Sequence, residues 1–564
     1  MMSDDGHSDV ESHFEEEREL TIVSMQKRDS GWGRRIGIAL LAIVAIVLVI
    51  AVPVTVTKNK ESESSSSAAV GVGSDSTGGA QPTLTTEDPM ESVTNETPKE
   101  QETTPKDEPD DSETTMEKPE TKAPSGSPTT APITITTTND NEASTSTVEP
   151  AFTKTVCPAN GTNSTNWFQF ADDIVGESAH DLSGSAMDMS ADGSIIAIGA
   201  NSNDDNGENA GHVRVYQYQS DIGFFTRLGQ ELDGEGEGDW FGHSVALDAS
   251  GKRLAAGGIW NDGTNGKNSG HVRVFDLSPD SNQWEQVGED IDGEEEDDRF
   301  GTSISLSANG KRLVIGASRC KKGDINATEV GCAYIYDLVD DSWVLLEKLQ
   351  GDSDGDMFGS AIQLSEDGEH MIVGAHRYDN RNGGPQAGQV KVFQFVPSEK
   401  SWFQVGAAIE GIFPGEWAGM TVSINMDGSR VAVGFPGDNM GIPAPGFSRV
   451  YELNNGVWEQ MGTLDLEGGF SVALSRDGNR VAVGDYKGMN AGIISGHVYV
   501  YDFNTDKRDW EVVGEEINGK SQQMEMLGVS VALSADGARV AAGVPRAASD
   551  GSSEIGAARV FDLC

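Results

Sequence analysis

The strongest constraint on this chain is a short segment that recurs seven times. Its clearest copy, residues 528–543, reads GVSVALSADGARVAAG, with two apolar runs on either side of an Asp-Gly pair. This pattern predicts a β-hairpin, and we expect a type I′ turn with positive φ at both central residues. A glycine closes the turn in every copy, and successive turn glycines are 50 to 60 residues apart. These are Gly193, Gly251, Gly310, Gly368, Gly428, Gly478 and Gly537.

Each copy carries two more glycines, one nine residues before the turn glycine and one six residues after it. Their fixed places predict close backbone approach or unusual dihedral angles. A third strand follows each hairpin, such as GHVRVFDL at 270–277, and a fourth strand opens with an aromatic residue, such as Trp284. Four strands in each of seven copies predict an all-β fold, a seven-bladed β-propeller.

The two ends of the array predict that the propeller is closed. The array begins with a lone fourth strand at Trp167 and ends with a lone third strand at 558–563, so the first strand should complete the last blade. All four cysteines lie in or next to the array. Topology predicts two disulfides, Cys157–Cys564 across the seam and Cys320–Cys332 across one loop of the third copy.

The residues before the array divide into three segments. Residues 1–35 form an acidic tail predicted to be disordered. Residues 36–56, IGIALLAIVAIVLVIAVPVTV, carry no charge and are long enough for a single transmembrane helix. Residues 57–156 are rich in Ser, Thr and Pro and predict a disordered stalk, which leaves 157–564 for the propeller.

Flanking charge predicts a type II orientation with the N-terminus in the cytoplasm. Four glycosylation sequons follow the predicted span, which agrees with an extracellular or lumenal C-terminal side. They are Asn95, Asn160, Asn163 and Asn326. We therefore expect a plasma-membrane or endomembrane glycoprotein.

The segment GDWFGHSVALDASGKRLAAGG at 238–258 resembles the FG-GAP repeats of integrin α-subunit heads and of many surface proteins. The likeness covers about residues 166–564, and the Phe-Gly pair recurs at Phe241-Gly242, Phe300-Gly301 and Phe358-Gly359. It implies the same seven-bladed propeller. Integrin-type propellers carry calcium in acidic DxDxDG hairpin loops, whereas the turns here are as short as SADGAR.

Charge narrows the choice of partners. The formal net charge of −51 disfavours nucleic acids and anionic membrane surfaces. Acidic runs such as DGEGEGD at 233–239 and DGEEEDD at 292–298 fall in the connections between blades. These connections and the second-to-third-strand loops should share one face, so we expect an acidic face directed away from the membrane.

Two sets of acidic residues are candidates for binding cations. Asp352, Asp354 and Asp356 alternate around Gly355, and we consider them a candidate Ca²⁺ site. The second set lies three residues before the repeated Phe-Gly glycine in six copies. Its members are Asp181, Asp239, Asp298, Asp356, Glu416 and Glu525. Because this acid recurs, we favour a structural role in which it accepts backbone N–H groups.

Candidates for catalysis are few. His212, His271 and His497 occupy one repeat position, which favours a structural role over a metal set. Asp188 is the one acid expected near the central channel, and a single carboxylate does not make an acid/base pair. We therefore predict a protein that is not an enzyme.

The leading hypothesis is a membrane-anchored adhesion-type propeller that recognises extracellular protein or glycan, with Ca²⁺ as a candidate cofactor. Two alternatives stay open. One is an ectoenzyme that acts on polysaccharide through Asp188 and the carboxylates of the acidic face. The other is an acidic structural protein of a cell wall or mineral.

Overall fold

A computed structural model describes residues 166–564 except 324–327, 382, 438–445, 464, 491–492, 521–523 and 549–553. The described residues contain strands and no helix. Accordingly, they hold no helix that is long and apolar enough to span a membrane. The predicted tail, transmembrane helix and stalk lie outside the described residues, as do Asn95, Asn160, Asn163 and Asn326.

The protein is a seven-bladed β-propeller, as the repeats predict. Each blade is an antiparallel sheet of four main strands, which follow chain order from the channel outwards except in blade seven, whose outermost strand is the first of the array. Blade one has β3 (Ala186–Met189), β4 (Ile195–Ala200), β5 (His212–Gln219) and β6 (Phe224–Arg227). Blade two has β8 (Phe241–Leu247), β9 (Arg253–Gly258), β10 (His271–Leu277) and β11 (Trp284–Gln286). Blade three has β13 (Phe300–Leu306), β14 (Arg312–Ala317), β17 (Cys332–Val339) and β18 (Ser342–Gln350).

The other four blades follow the same plan. Blade four has β19 (Ala361–Leu364), β20 (His370–Ala375), β21 (Gln389–Val396) and β22 (Ser401–Gln404). Blade five has β24 (Val422–Ile424), β25 (Arg430–Phe435), β26 (Phe447–Asn454) and β27 (Val457–Gln460). Blade six has β29 (Ser471–Leu474), β30 (Arg480–Asp485), β33 (His497–Asn504) and β34 (Asp509–Val512). Blade seven has β36 (Val531–Leu533), β37 (Arg539–Val544), β38 (Ala557–Leu563) and β1 (Trp167–Gln169).

Short strands complete the sheets. In six blades a two-residue strand continues the outer edge and pairs with the third strand. These strands are β2 (Ile174–Val175), β7 (Leu232–Asp233), β12 (Ile291–Asp292), β23 (Ile409–Glu410), β28 (Leu466–Glu467) and β35 (Ile517–Asn518). Two small hairpins extend from loops, β15 (Lys321–Lys322) with β16 (Thr328–Glu329), and β31 (Met489–Asn490) with β32 (Ile493–Ile494).

The hairpin turns differ from the predicted type I′ geometry. In the first copy Gly193 has φ of 69°, but Asp192 is not among the residues with positive φ. Its carboxylate instead accepts the Ser194 N–H at 2.9 Å and the Ser190 hydroxyl at 2.8 Å. The Gly193 N–H donates to the Ser190 carbonyl at 2.8 Å, so a turn with right-handed central residues precedes the left-handed glycine. The type I′ expectation was wrong, because the Asp side chain caps the turn while its backbone stays right-handed.

Two recurring glycines mark where neighbouring blades touch. A Cβ on Gly374 would lie 2.0 Å from the carbonyl oxygen of Gly419 in the next blade. Gly419 itself has φ of 85°. The same contact joins Gly199 to Gly242 and Gly543 to Gly184. Both predicted reasons for the glycines, close backbone approach and unusual dihedral angles, are therefore confirmed. The glycine six residues after the turn leaves room for the next blade, and its partner in that blade has a left-handed backbone.

An arginine at the start of the second strand joins adjacent hairpins in several blades. Arg312 binds the Asp337 carboxylate through two nitrogens, at 2.6 and 2.9 Å. Its third nitrogen donates to the Gly368 carbonyl in the next hairpin at 2.8 Å. The guanidinium group thus fixes both the sheet of its own blade and the turn of the following blade.

Closure of the ring is confirmed. Strand β1 pairs with β38 in the register Trp167↔Leu563, so the first strand of the array completes blade seven. The Trp167 indole N–H also donates to the Val513 carbonyl of blade six at 2.9 Å. The predicted Cys320–Cys332 disulfide is present. Cys157 lies outside the described residues, so the pairing Cys157–Cys564 stays a prediction.

Candidate functional site

The blade-to-blade connections and the second-to-third-strand loops meet on one side of the ring, which we call the upper face. Asn206 of one such loop donates to the Gly234 carbonyl of a connection at 2.7 Å. The Phe241 N–H at the end of that connection donates to the Ala210 carbonyl at 2.9 Å. The opposite side, formed by the Asp-Gly turns, is called the hairpin face.

The recurring acid of the connections has the structural role that its repetition favours. All six carboxylates are buried. Each accepts a backbone N–H three to five residues earlier in the same connection. The donors, in chain order, are Ser178, Gly236, Glu295, Ser353, Ile412 and Lys520. Burial raises the pKa of Asp298 and of Asp356 to about 6, so part of each carboxyl population is protonated near pH 6.

The three candidate calcium ligands of blade four bind three different partners. Asp352 forms an ion pair with Lys391 at 2.7 Å. Asp354 accepts the Glu329 N–H at 2.9 Å, and Asp356 accepts the Ser353 N–H at 2.7 Å. The carboxylates are therefore engaged by the protein's own donors, and they are not among the carboxylate and His groups of the described residues that converge within 4.8 Å. The calcium site stays a prediction.

A different cluster stands out near the centre of the upper face, and we call it the arc. It consists of Trp240, Trp260, Arg299, Arg319, Arg377 and Trp417. Trp240 and Arg299 directly precede β8 and β13, the first strands of blades two and three. Trp417 occupies the equivalent repeat position five residues before β24 of blade five, and all three residues have φ of 56°. Trp260, Arg319 and Arg377 lie two residues beyond the second strand. The arc therefore uses two repeat positions on consecutive blades.

Backbone hydrogen bonds hold these two positions next to each other. The N–H groups of Trp260, Arg319 and Arg377 donate to the carbonyls of the recurring acids Asp239, Asp298 and Asp356, at 3.2 to 3.3 Å. The buried acid thus fixes the connection, and the connection in turn fixes the loop. This arrangement gives the side chains of the arc a rigid base, which a binding site on loops requires.

The aromatic rings and guanidinium groups of the arc contact one another. The rings of Trp240 and Trp260 meet edge to face, with centroids 6.0 Å apart. The guanidinium carbon of Arg299 lies 4.2 Å from the centroid of the Trp260 ring, in cation–π contact. On the other side of the arc, Trp417 packs edge to face on His376 with centroids 5.9 Å apart. All three tryptophans remain partly exposed.

The arc is locally cationic although the whole chain is acidic. Burial, together with the nearby cations Arg319 and Arg377, lowers the pKa of Arg299. The buried Nε of Arg299 has no hydrogen-bond partner in the described structure. Arg319 pairs with Glu329 at 3.1 Å, but both side chains are more than a third exposed, so this pair contributes little. Arg377 is exposed. The three arginines of the arc thus outnumber the two acids that act on Arg299, which are Asp297 and Glu329, so the excess charge is positive.

The histidines beside the arc do not add to that charge at neutral pH. Burial and the neighbouring Arg299 lower the pKa of His243 to about 4. Burial and Arg377 lower the pKa of His376 to about 4. Neutral His376 shares a hydrogen bond with the Ser360 hydroxyl, 2.8 Å from its Nδ1. These imidazoles therefore act as polar aromatic groups, and the arginines supply the charge.

The central channel holds a cavity of about 280 Å³ toward the hairpin face. Asp188 lies in its wall, as predicted, and accepts the N–H groups of Met189 and Leu247 at 2.8 and 2.7 Å. The expectation that Asp188 is the one acid near the channel was wrong, because Asp248 and Glu366 also line this wall. Asp248 accepts the N–H groups of Lys252 and Arg253, and Glu366 pairs with Arg476 at 3.2 Å. Asp188 is thus a link between two blades, and the cavity wall does not present it together with an unpartnered second carboxylate.

Comparison with known proteins adds no relative. No protein-family model matches the sequence, and no curated protein is similar to it at a significant level. The structure shows a seven-bladed propeller, which is consistent with the resemblance to FG-GAP repeats.

The sequence interpretation missed the arc because it followed acidic runs and repeated residues. The arc breaks the repeat at two fixed positions. The position two residues beyond the second strand reads Ser202, Trp260, Arg319, Arg377, Gly437, Lys487 and Arg546. A table of variable positions within the repeat could have isolated it, since binding residues depart from the pattern that the fold imposes.

Proposed function

We propose that this chain is a membrane-anchored cell-surface binding protein, and that its propeller recognises an acidic oligosaccharide at the arc. The observation that carries the proposal is the contact of Arg299 with Trp260, beside Arg319 and Arg377, on the upper face. Guanidinium groups bind carboxylate and sulfate through paired hydrogen bonds. Partly exposed indole rings offer flat apolar surfaces on which a sugar ring packs.

The distribution of charge on the upper face indicates how highly charged the ligand is. Acidic residues of the connections, such as Glu235, Glu237 and Glu294, are exposed around the centre of the face. A long polyanion would meet this acidic rim and be repelled. A chain that is mostly neutral and carries one or two acidic groups avoids the rim and places its charge at the arginines. We therefore favour an oligosaccharide with isolated carboxylate or sulfate groups over a nucleic acid or a heavily charged polymer.

Location supports a recognition role. The uncharged segment 36–56 would anchor the chain, and the Ser/Thr/Pro-rich segment 57–156 would carry the propeller away from the membrane. This setting leaves the upper face open to ligands on other cells or in the surrounding matrix. Calcium is not required by this proposal.

The test is a binding measurement on the full chain solubilised in detergent. An array of neutral, carboxylated and sulfated oligosaccharides identifies the ligand class, and calorimetry then compares Arg377→Gln with the unaltered chain. We expect at least a 10-fold loss of affinity, because a charge-assisted hydrogen bond contributes about 1.5–3 kcal/mol.

The matched control is Lys252→Gln, which removes the same charge from an exposed position beside the Gly251 turn on the hairpin face. It should change affinity less than about 2-fold, since surface charges far from a ligand are screened. The proposal would be overturned if the two variants lost the same affinity, or if the chain bound none of the acidic oligosaccharides on the array. Binding of acidic peptides without acidic oligosaccharides would move the ligand class to protein.

A further inference from the structure

The first residue of the third strand is histidine in blades one, two and six, and the three side chains have different surroundings. In blade two His271 is fully buried, and neither ring nitrogen has a hydrogen-bond partner in the described structure. Burying an imidazole without hydrogen-bond partners lowers the stability of the fold, because its two nitrogens lose their hydrogen bonds to water. An unpaired donor nitrogen held in this way is a feature that the fold alone does not explain.

Two carboxylates converge on His271. The Oε2 atom of Glu235 lies 3.8 Å from His271 Nδ1. One ligand atom from each of Glu235, His271 and Asp290 lies within 4.8 Å of the other two. Glu235 comes from the connection that enters blade two, and Asp290 directly precedes the edge strand β12. Both carboxylates are exposed, so the group is open to ions from solution.

The backbone around His271 makes room for the ring. A Cβ on Gly258, at the end of the neighbouring strand, would lie 3.0 Å from His271 Nε2. Gly258 therefore faces Nε2, while Nδ1 is the nitrogen nearest Glu235. The ring is held between a fixed backbone and a pair of acids.

The equivalent group in blade one is neutralised by an arginine. Glu177, His212 and Glu231 converge in the same way. However, Arg214 contacts the carboxylates of both Glu177 and Glu231, the second at 2.8 Å. A cation bound here would have to displace or repel that guanidinium group. In blade six His497 contacts the carboxylate of Glu516, with no second acid in a converging group among the described residues.

In blade two the corresponding arginine makes its closest contacts with other groups and approaches Glu235 only at longer range. The Nη2 atom of Arg273 donates to the Asp233 carbonyl, and its guanidinium carbon lies 4.1 Å from the centroid of the Phe241 ring. Its closest approach to Glu235 is 3.9 Å, longer than a hydrogen bond. Asp290 is bound by the amide of Gln286 at 2.7 Å, a neutral donor that leaves its charge in place. The two acids of blade two thus keep capacity for a cation.

We propose that Glu235, His271 and Asp290 form a binding site for a divalent first-row transition-metal ion such as Zn²⁺. One imidazole nitrogen and two carboxylate oxygens are a donor set that these metals accept, whereas Ca²⁺ prefers oxygen ligands alone. The ion would satisfy Nδ1 of His271 and hold the connection before blade two against the third strand. This site is independent of the proposed oligosaccharide binding.

The test uses Zn²⁺ and Co²⁺ on the full chain in detergent after treatment with a chelator. Calorimetry with Zn²⁺ counts sites, and the visible absorption of Co²⁺ reports a nitrogen and oxygen ligand field. We expect Glu235→Gln and Asp290→Asn each to weaken the strongest protein site at least 10-fold. Neither change should unfold the protein, because both side chains are exposed, and metal-free melting and circular dichroism check this.

Glu177→Gln is the matched control, since it removes the equivalent carboxylate in blade one. It should leave the affinity and the Co²⁺ spectrum unchanged. The proposal is overturned if the chain binds no Zn²⁺ at micromolar concentration, or if Glu235→Gln and Asp290→Asn retain the same sites and spectrum. It is also overturned if Glu177→Gln weakens binding as much as Glu235→Gln, or if Ca²⁺ competes equally with Zn²⁺.

Discussion

At the scale of single residues, the glycines of the repeat are the positions that tolerate least change. The carbonyl of Gly419 approaches Gly374 so closely that any side chain at Gly374 would clash with backbone. Backbone of an inner strand cannot move away without separating two blades. The recurring acids show the same principle with polar groups, since each one satisfies a backbone N–H inside a tight connection.

Gly374→Ala should therefore be strongly destabilising. The added Cβ would lie 2.0 Å from the Gly419 carbonyl oxygen of the next blade, so the sheets of blades four and five would have to move apart. We expect a loss of several kcal/mol in the free energy of unfolding, as for other overpacked interiors with displaced backbone. Denaturant unfolding followed by tryptophan fluorescence measures it.

Gly236→Ala serves as the comparison. Gly236 lies in an acidic connection, its φ is not in the left-handed region, and the nearest atom to an added Cβ is 3.9 Å away. Its stability should stay within about 0.5 kcal/mol of the unaltered protein. Similar losses in both variants would show that the contact between blades is not the cause.

At the scale of strands, the innermost strands are joined by side chains as well as by packing. Asp188 on β3 accepts the Leu247 N–H of β8, and Ser305 on β13 accepts the Leu364 N–H of β19 at 2.9 Å. Gln363 and Ser423 make the corresponding bonds farther around the ring. These links explain why the channel wall combines small apolar residues with a few polar ones.

Asp188 should give the protein a measurable pH dependence. Burial raises its pKa to about 6 in the folded state, from an ordinary value of 3.8. Between these values the folded state binds a proton that the unfolded chain has released, so this carboxyl group lowers stability as pH rises from about 4 to about 6. Asp188→Asn removes this titration. When pH is lowered from 7 to 4, the melting temperature of the variant should therefore rise less, or fall more, than that of the unaltered protein.

The hairpin residue Asp536 provides a control of opposite sign. The Ala538 N–H and the Ser534 hydroxyl hold its pKa below the ordinary value. Its contribution is present above about pH 4 and is lost as pH falls further through the lowered pKa, so below pH 4 the melting temperature of Asp536→Asn should fall less than that of the unaltered protein. If both variants shift the pH profile in the same direction, the assignment of Asp188 is wrong.

At the scale of the whole molecule, the ring is continuous across its seam. Arg539 of blade seven binds Asp562 through two nitrogens, at 2.6 and 2.8 Å, and donates to the Gly193 carbonyl of blade one at 2.9 Å. This repeats the contacts of Arg312 between blades three and four. The join between blades seven and one is therefore held by the same kind of contact as the join between blades three and four.

Arg539→Gln and Arg312→Gln should destabilise the protein by similar amounts. Each change breaks a mostly buried ion pair and a hydrogen bond between blades, and we expect a loss of about 1–3 kcal/mol. Thermal unfolding should remain a single transition in both. A much smaller effect of Arg539→Gln, or a separate early transition in that variant, would indicate that the seam opens independently.

The repeat alone determined the number of blades, the strand order, the closure by β1 and the Cys320–Cys332 disulfide. These follow from local patterns whose meaning is the same in every copy. The Asp-Gly turn was the exception, because the capping of backbone N–H groups by the Asp192 carboxylate favours right-handed φ at that residue.

The candidate sites were decided by tertiary structure. Trp260, Arg299 and Arg377 come from different blades, and only the ring brings them together. Equivalent histidines in blades one and two have the same sequence context, yet Arg214 contacts both acids of one group directly, whereas Arg273 approaches Glu235 of the other only at 3.9 Å. Periodicity specifies backbone positions, whereas the direction of a long side chain depends on neighbours that are remote in sequence.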